Sequence, residues 1–233
     1  MENPTNVMLS IVIPVYNERE TIREVIRRVE AVDRDKEIII VDDGSTDGTR
    51  DLLKKYEELE GFKVIYQPRN GGKGRALRAG FEKAEGEIII IQDADLEYNP
   101  QDYPVLLDPI LDGRADVVYG SRFLGGPHRV FFFWHYLGNK VLTTLSNMLT
   151  DLCLTDMETG YKVFRRSILD SFTLNSDRFG FEPEFTCKIA RNKFRIYEVP
   201  ISYSGRGYSE GKKIDWKDGV AALWFIFRFR FFS

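Results

Sequence analysis

Short, continuous apolar runs alternate with amphipathic stretches over the first half of the chain. The apolar runs cover 9–13, 37–41, 63–66, 87–91 and 116–119. Runs without an apolar–polar alternation are typical of strands that are buried on both faces of a parallel sheet. The stretches with helical spacing cover 19–32, 46–59 and 74–85. The pattern therefore predicts an α/β fold, in which helices sandwich a mostly parallel, Rossmann-like sheet.

The pattern changes beyond residue 120, where helices with one apolar face dominate. Residues 131–154 carry a long apolar stripe at helical period, and three consecutive phenylalanines open it. The segments that follow are predicted as a strand at 161–164, a helix at 182–191, a strand at 195–199 and a helix at 214–232. We expect one main domain over 1–216, with an amphipathic helix at about 130–152. A second amphipathic helix, 217–233, is expected after it.

Composition excludes several classes of protein. With 43% hydrophobic and 30% charged residues, the chain is neither disordered nor fibrous. Two cysteines do not make a disulfide framework, so a reducing, cytosolic compartment is expected. The net charge of −3 argues against a nucleic-acid partner. From Ile189 onward, however, the net charge is +5 against −8 for the rest, which indicates a phosphate or membrane-surface partner there.

Two apolar stretches raise the question of membrane contact. Neither 130–134 nor 220–232 reaches the ~20 uninterrupted apolar residues of a spanning helix, since Arg228 and Arg230 interrupt the second. Their helical stripes predict amphipathic helices lying in the membrane interface. Contacts with the protein core or with another subunit are the alternative. We favour peripheral membrane contact, and a membrane-anchoring partner or a homo-oligomer stays open.

Polar motifs follow the predicted strands, where open α/β sheets bind their ligands. They read PVYNE at 14–18, DDGS at 42–45, NGGKG at 70–74 and DADLE at 93–97. Taken singly, the first three are no more than weak signals, and each can be an ordinary loop or turn. The fourth is stronger, because carboxylates placed so close together cost free energy unless a cation neutralises them. Hard oxygen ligands of this kind select Mg²⁺ or Mn²⁺, usually together with diphosphate oxygens.

In this order and near these spacings, the four motifs closely resemble those of the inverting family 2 glycosyltransferases, which have the GT-A fold. The resemblance covers about residues 9–125 with high specificity. Within the family, the chain is most similar to the polyprenyl-phosphate glycosyltransferases, the dolichol-phosphate mannose synthase type. That closer similarity extends to about residue 216 and rests on GSRF at 120–123, TDMETGYK at 155–162, SGR at 204–206 and SEGK at 209–212.

The resemblance implies a role for each matched residue. The residues at the nucleotide-sugar would be Pro14, Tyr16, Glu18, Asp42, Gly72, Lys73, Asp93, Ala94, Asp95, Arg206 and Lys212, with Asp42 facing the base. The ligands of Mg²⁺ or Mn²⁺ would be Asp93, Asp95 and Glu97; related synthases often have Gln at the last position. The catalytic candidates would be Asp93, Arg122, Asp156 and Arg206.

Within that set, Arg122 would bind the acceptor phosphate, and Asp156 would orient the acceptor or act as a base. Arg206 and Lys212 would belong to a mobile loop, at about 204–213, that closes over the donor phosphates. Glycines at 205, 207 and 211 fit such a loop.

The implied reaction moves a hexose from a GDP-mannose or UDP-glucose type of donor to a polyprenyl phosphate at the cytoplasmic face of the membrane. A phosphate monoester has a second pKa of ~6 and is ionised at pH 7, so cations matter more to it than a base does. A hydroxyl acceptor, such as a growing glycan, is the alternative within the enzyme class. A nucleotide-sugar-binding protein without turnover is the alternative outside it. A dinucleotide-dependent dehydrogenase is disfavoured, because no G-x-G-x-x-G follows the first strand.

Overall fold

A seven-stranded sheet lies at the centre of the computed structural model, which describes residues 8–130, 132–178, 180–207 and 216–232. The strands are β1 (Leu9–Val15), β2 (Lys36–Asp42), β3 (Phe62–Tyr66), β4 (Ile88–Ile91), β5 (Val117–Ser121), β6 (Lys162–Arg165) and β7 (Ile196–Pro200). Their order in the sheet is β3-β2-β1-β4-β6-β5-β7. Strand β6 is antiparallel to its neighbours β4 and β5, whereas the other pairings are parallel. The prediction of a mostly parallel α/β sheet is confirmed.

Seven α-helices accompany the sheet in the described residues. They are α1 (Ile22–Glu30), α2 (Thr49–Leu53), α3 (Lys73–Phe81), α4 (Tyr103–Leu111), α5 (Phe133–Thr150), α6 (Phe181–Arg191) and α7 (Trp216–Phe231). The sequence pattern did not indicate α4, because prolines at 104 and 109 interrupt it. Pro104 lies in the first turn, where a missing N–H costs nothing, while Pro109 lies inside the helix.

The two faces of the sheet carry separate hydrophobic cores, which explains the continuous apolar runs. Along β1, Ile11 and Ile13 point into one core while Val12 points into the other. Helices α1 and α4 cover the first face, and α3, α6 and α7 contribute to the second. Because both faces of β1 are buried, the polar residues of the candidate site lie beyond the carboxyl end of this strand.

Helix α5 leaves most of its surface exposed. Only Thr143 and Ser146 are buried in it, and Trp134 is 76% exposed. Further exposed apolar residues on α5 and α7 are Phe133, Leu137, Val141, Met148, Trp224, Phe227 and Phe231. Within the described residues, none of the helices combines the length and apolar character that crossing a membrane requires.

Helix α6 is anchored by an aromatic cluster that can be tested by truncation. Phe185 is fully buried, and its ring lies 5.1 Å from that of Phe164 and 5.5 Å from that of Phe181. We expect Phe185→Ala to lower the free energy of unfolding by about 3–5 kcal/mol, because the cavity left in a close-packed core is not refilled. Urea unfolding measures the change. Phe232→Ala is the matched control, since Phe232 is 81% exposed, and a similar loss in both variants would contradict the packing described.

Candidate functional site

The carboxyl ends of β1 and β2 are tied together by their loops. The backbone N–H of Asn17 donates to Ser45 Oγ at 2.9 Å, and the N–H of Thr46 donates to Asn17 Oδ1 at 2.8 Å. Asn17 adopts a positive φ of 51°, which Asn tolerates better than most residues. Beside it, Pro14 is half-buried and Tyr16 is exposed. This part of the site offers an accessible aromatic ring at the edge of the sheet.

The two adjacent carboxylates after β2 have different environments. Asp42 is fully buried and accepts hydrogen bonds from Arg50 Nε at 2.9 Å and from the N–H of Ser45 at 3.3 Å. Asp43 instead accepts from the N–H groups of Gly71 and Gly72, at 2.9 and 2.7 Å. Burial raises the pKa of Asp43. The enclosure of Asp42 does not support its expected contact with a base, whereas Asp43 reaches the glycine loop.

The first carboxylate of DADLE is paired with the lysine of the glycine loop. Lys73 Nζ lies 2.9 Å from Asp93 Oδ1 and 3.2 Å from Glu182 Oε1. Burial alone would lower the pKa of Lys73, but the two carboxylates outweigh it and raise that pKa. A side chain at Gly160 would collide with Asp93 Oδ2, so this glycine allows the 155–162 segment to approach the site. The lysine therefore holds Asp93 in place at the end of β4.

Three further carboxylates share one guanidinium group, that of Arg206. Its Nη atoms lie 3.1 and 3.2 Å from the Glu18 carboxylate, and Nη2 lies 3.5 Å from Asp95 Oδ2. The backbone N–H of Arg206 donates to Glu97 Oε1 at 2.7 Å. Arg206 Nε is buried and has no hydrogen-bond partner among the described residues. One guanidinium thus lies against three acidic groups, while its Nε donor stays unsatisfied.

The crowding of these carboxylates is reflected in their protonation. Burial, together with the neighbouring charges of Asp93 and Glu97, raises the pKa of Asp95 to about 7. Ala94, between the two aspartates, is buried in the first hydrophobic core. In the part of the chain that is described, no group of three His, Cys, Asp or Glu side chains is arranged to hold a metal ion. The acidic groups of the DADLE segment instead contact Lys73 and Arg206.

The residues expected at the acceptor form a buried ion pair. Arg122 Nε and Nη2 each lie 2.7 Å from a different oxygen of Asp156, which is fully buried. Asn139 Nδ2 also donates to Asp156, at 3.2 Å. A bidentate pair fixes the orientation of a guanidinium strongly. Asp156 is therefore placed to orient Arg122, and both of its oxygens are already engaged by this ion pair.

Tyr203, which no sequence motif singled out, lies between the Glu97 carboxylate and the Arg122 guanidinium. Its hydroxyl donates to Glu97 Oε2 at 2.7 Å, and its ring centroid lies 5.2 Å from the Arg122 guanidinium carbon. Its position directly before the SGR segment was the available signal. Lys212, and part of the expected loop at 204–213, lie outside the described residues.

A second missed feature is the ionisable group of Glu158, in the TDMETG segment. Burial and the charge of Glu182 raise the pKa of Glu158 to about 8, and its Oε1 has no hydrogen-bond partner among the described residues. Burial lowers the pKa of the neighbouring Lys162 to about 8. Lys162 Nζ donates to backbone carbonyls of the same segment, including that of Met157 at 3.1 Å. The sequence had shown this segment only as part of a resemblance.

The fold is that of an open α/β sheet, a class whose ligands bind at the carboxyl ends of the strands, where the polar residues described above lie. Crystal structures of glucosyl-3-phosphoglycerate synthase from Mycobacterium tuberculosis share this fold. One of them, in complex with Mn²⁺, uridine diphosphate and phosphoglyceric acid, has a TM-score of 0.75 at 21% identity. The match covers 97% of this chain and 80% of that one.

Sequence comparison identifies the family. The model of glycosyl transferase family 2 matches residues 10–173, and the chain belongs to this family. Polyprenol monophosphomannose synthase of Mycolicibacterium smegmatis is 31% identical over 205 residues, which cover 84% of this chain and 77% of the relative. Undecaprenyl-phosphate 4-deoxy-4-formamido-L-arabinose transferase of Aeromonas hydrophila is 30% identical over 218 residues, which cover 91% of this chain. The match covers only 64% of that transferase.

The raised pKa of Glu158 predicts a specific pH dependence of stability. Folding raises this pKa from 4.5 to about 8, so the folded state binds a proton that the unfolded state releases. The stabilisation is complete below pH 4.5 and is lost as pH rises toward 8. In Glu158→Gln that loss is absent, so the stability of the variant relative to wild type should rise by up to about 1.4 kcal/mol per pH unit between pH 5 and 8.

Urea unfolding at several pH values measures this difference. Lys162, whose pKa is lowered on folding from 10.5 to about 8, changes the stability mainly between those two pH values, above that window. Glu60→Gln, at an exposed position, is the control and should follow wild type. Parallel pH profiles for wild type and Glu158→Gln would show that Glu158 is ionised normally in the folded protein.

Proposed function

We propose that this protein is an inverting hexosyltransferase that moves a hexose from a nucleotide-diphosphate sugar to a polyprenyl phosphate. The observation that carries the proposal is the set of Glu18, Asp95 and Glu97 around a single guanidinium. Such an excess of negative charge at a strand end suits a divalent cation and the diphosphate that it accompanies. Two relatives, a polyprenol monophosphomannose synthase and an undecaprenyl-phosphate 4-deoxy-4-formamido-L-arabinose transferase, support the lipid-phosphate acceptor.

The donor set fits a hard divalent cation, Mg²⁺ or Mn²⁺. Carboxylate oxygens are the ligands such ions prefer, and Asp95 and Glu97, with Asp93 beside them, would hold the ion. When bound, the ion would stabilise negative charge on the departing diphosphate. Arg206 occupies the same carboxylates in this structure. We propose that it exchanges them for the donor phosphates, where its unsatisfied Nε would find an acceptor.

The nucleotide would lie across the ends of β1 and β2. The exposed ring of Tyr16 offers a surface for stacking against a base, beside Pro14. Gly72 and Lys73 open α3, so the loop brings its lysine to the diphosphate side of the site. Lys73 would then stabilise leaving-group charge together with Arg206.

The acceptor phosphate would be held by Arg122, which Asp156 orients. A phosphate monoester is already nucleophilic as an anion at pH 7, so the reaction needs no deprotonated side chain to activate it. This agrees with the ion pairing of Asp156, which is poorly placed to take a proton. Tyr203 contacts both Glu97 and Arg122 and would fix the position of the donor site relative to the acceptor site.

We also propose that the exposed aromatic faces of α5 and α7 rest on a membrane surface, where the lipid acceptor lies. Trp134 and Trp224 are 76% and 61% exposed, and indole rings favour the membrane interface. The two cysteines are unpaired, which fits a reducing compartment and contact with the cytoplasmic face. In this proposal, residues 1–216 form the catalytic domain and the C-terminal helix contributes to the contact.

Radiolabel transfer tests the proposed reaction. The purified protein is given labelled GDP-mannose, UDP-glucose or UDP-N-acetylglucosamine with Mg²⁺ or Mn²⁺ and a short polyprenyl phosphate. We expect label from one donor to enter the organic phase. Transfer to a soluble glycan, with none to the polyprenyl phosphate, would establish the hydroxyl-acceptor alternative and contradict the proposal.

Asp95→Asn tests the metal assignment in the same assay. The substitution keeps the size of the side chain but removes the charge, so we expect transfer to fall by roughly 10²–10³-fold. Mn²⁺ binding, measured by electron paramagnetic resonance, should fall with it. Asp33→Asn, at an exposed position, is the control for charge and should retain both properties. Unchanged transfer and unchanged Mn²⁺ binding in Asp95→Asn would show that Asp95 is not a ligand.

A further inference from the structure

An arginine-lined cavity of about 530 Å³ lies beside the glycine loop. Its walls come from the loop before α3, from the first turn of α3, from residues 175–178 and from one face of α7. Four guanidinium groups line it: those of Arg69, Arg75, Arg178 and Arg228. None of the residues proposed above for the donor, the metal or the acceptor is among the lining residues. The cavity is therefore a feature that the proposed reaction leaves unexplained.

The charges in this cavity are not balanced from within. Asp177 is the one carboxylate in the lining, and its Oδ1 already lies 2.5 Å from Arg78 Nη2, outside the cavity. Among the described residues, none of the four lining guanidinium groups forms an ion pair within 4 Å, although the charge of Arg75 acts on the carboxylate of Asp43, outside the lining. Gathering several cations around one space is unfavourable unless an anion enters it.

The rest of the lining suits an anion attached to an apolar group. Phe225 and Phe229 stack with their centroids 5.8 Å apart, and the Arg228 guanidinium lies 5.8 Å from the Phe229 ring centroid. Ser176 is 7% exposed, and its Oγ has no hydrogen-bond partner among the described residues. The cavity thus combines cationic groups, an unsatisfied hydroxyl and an aromatic wall.

Helix α7 connects this cavity with the exposed aromatic residues. Trp224, Phe227 and Phe231 are exposed and follow one another at helical spacing. Arg228, which lines the cavity, is exposed within the same stripe. An amphiphilic ligand could therefore place its charged group among the arginines while its apolar part follows the aromatic stripe.

We propose that this cavity is a binding site for the phosphate group of an anionic ligand, separate from the donor site and from Arg122. Guanidinium groups bind phosphate oxygens through paired, charge-assisted hydrogen bonds, and four of them exceed what one monoanion needs. The phosphate can belong to a membrane lipid headgroup or to a soluble phosphate ester. The inference rests on the cavity alone and does not depend on the proposed transfer reaction.

Vesicle co-sedimentation tests the site with the full chain. Partition onto phosphatidylcholine vesicles is compared with partition onto vesicles that also contain phosphatidic acid. We expect wild type to prefer the anionic vesicles, and the pair Arg75→Gln/Arg178→Gln to lose this preference by roughly tenfold or more. Arg23→Gln/Arg166→Gln removes the same charge at exposed positions and should keep most of the preference. Matching urea midpoints confirm that the variants are folded.

Competition identifies the source of the phosphate. Loss of the preference in the presence of glycerol 3-phosphate would support a soluble ester as an adequate ligand, and its persistence would support a lipid headgroup. If both double variants lose the preference for anionic vesicles equally, the preference depends only on net charge, and the proposal is overturned. Loss of the preference on addition of GDP or UDP would assign the cavity to the donor site and overturn it as well.

Discussion

Unbalanced negative charge at the carboxyl end of β4 is the constraint on which the site depends. Asp95 and Glu97 project from the turn after this strand, and Glu18 reaches them from the loop after β1. Parallel strands deliver these loops to one edge of the sheet, so repulsion between the carboxylates follows from the fold itself. Arg206 offsets part of that charge, while burial and the neighbouring charges of Asp93 and Glu97 raise the pKa of Asp95.

The rest of the site also consists of closely packed pairs of opposite charge. Lys73 opens α3 and neutralises Asp93, while Gly160 leaves room for that carboxylate. Arg122 is oriented by Asp156 at the end of β5. Tyr203 contacts both halves and joins them. In the proposed reaction, these charges would select a diphosphate with its cation on one side and a phosphate on the other.

The pattern of apolar residues predicted the strands and helices that bury apolar side chains. The predicted α/β fold with a mostly parallel sheet was confirmed. Helix α4 was not predicted from the sequence, because its two prolines are unfavourable in a helix. The packing of the folded protein nevertheless tolerates them. The distinct environments of Asp42 and Asp43 could not be predicted, since Arg50 and the glycine loop decide them. Glu18 and Arg206 are 188 positions apart. Their pairing depends on how the late segment returns to the sheet, which periodicity does not encode.

In the proposed mechanism, Arg206 occupies the place of a divalent cation among the carboxylates. Titration with Mn²⁺, followed by electron paramagnetic resonance, tests this most directly. The measurement compares wild type with Arg206→Gln in the absence of any nucleotide. Removing the guanidinium takes its positive charge away from Glu18 and Asp95, while Glu97 keeps its hydrogen bonds from the backbone N–H of residue 206 and from Tyr203. The variant is therefore expected to bind Mn²⁺ at least roughly tenfold more tightly. Equal or weaker binding by Arg206→Gln would contradict the claim, because the arginine would then not compete with the ion.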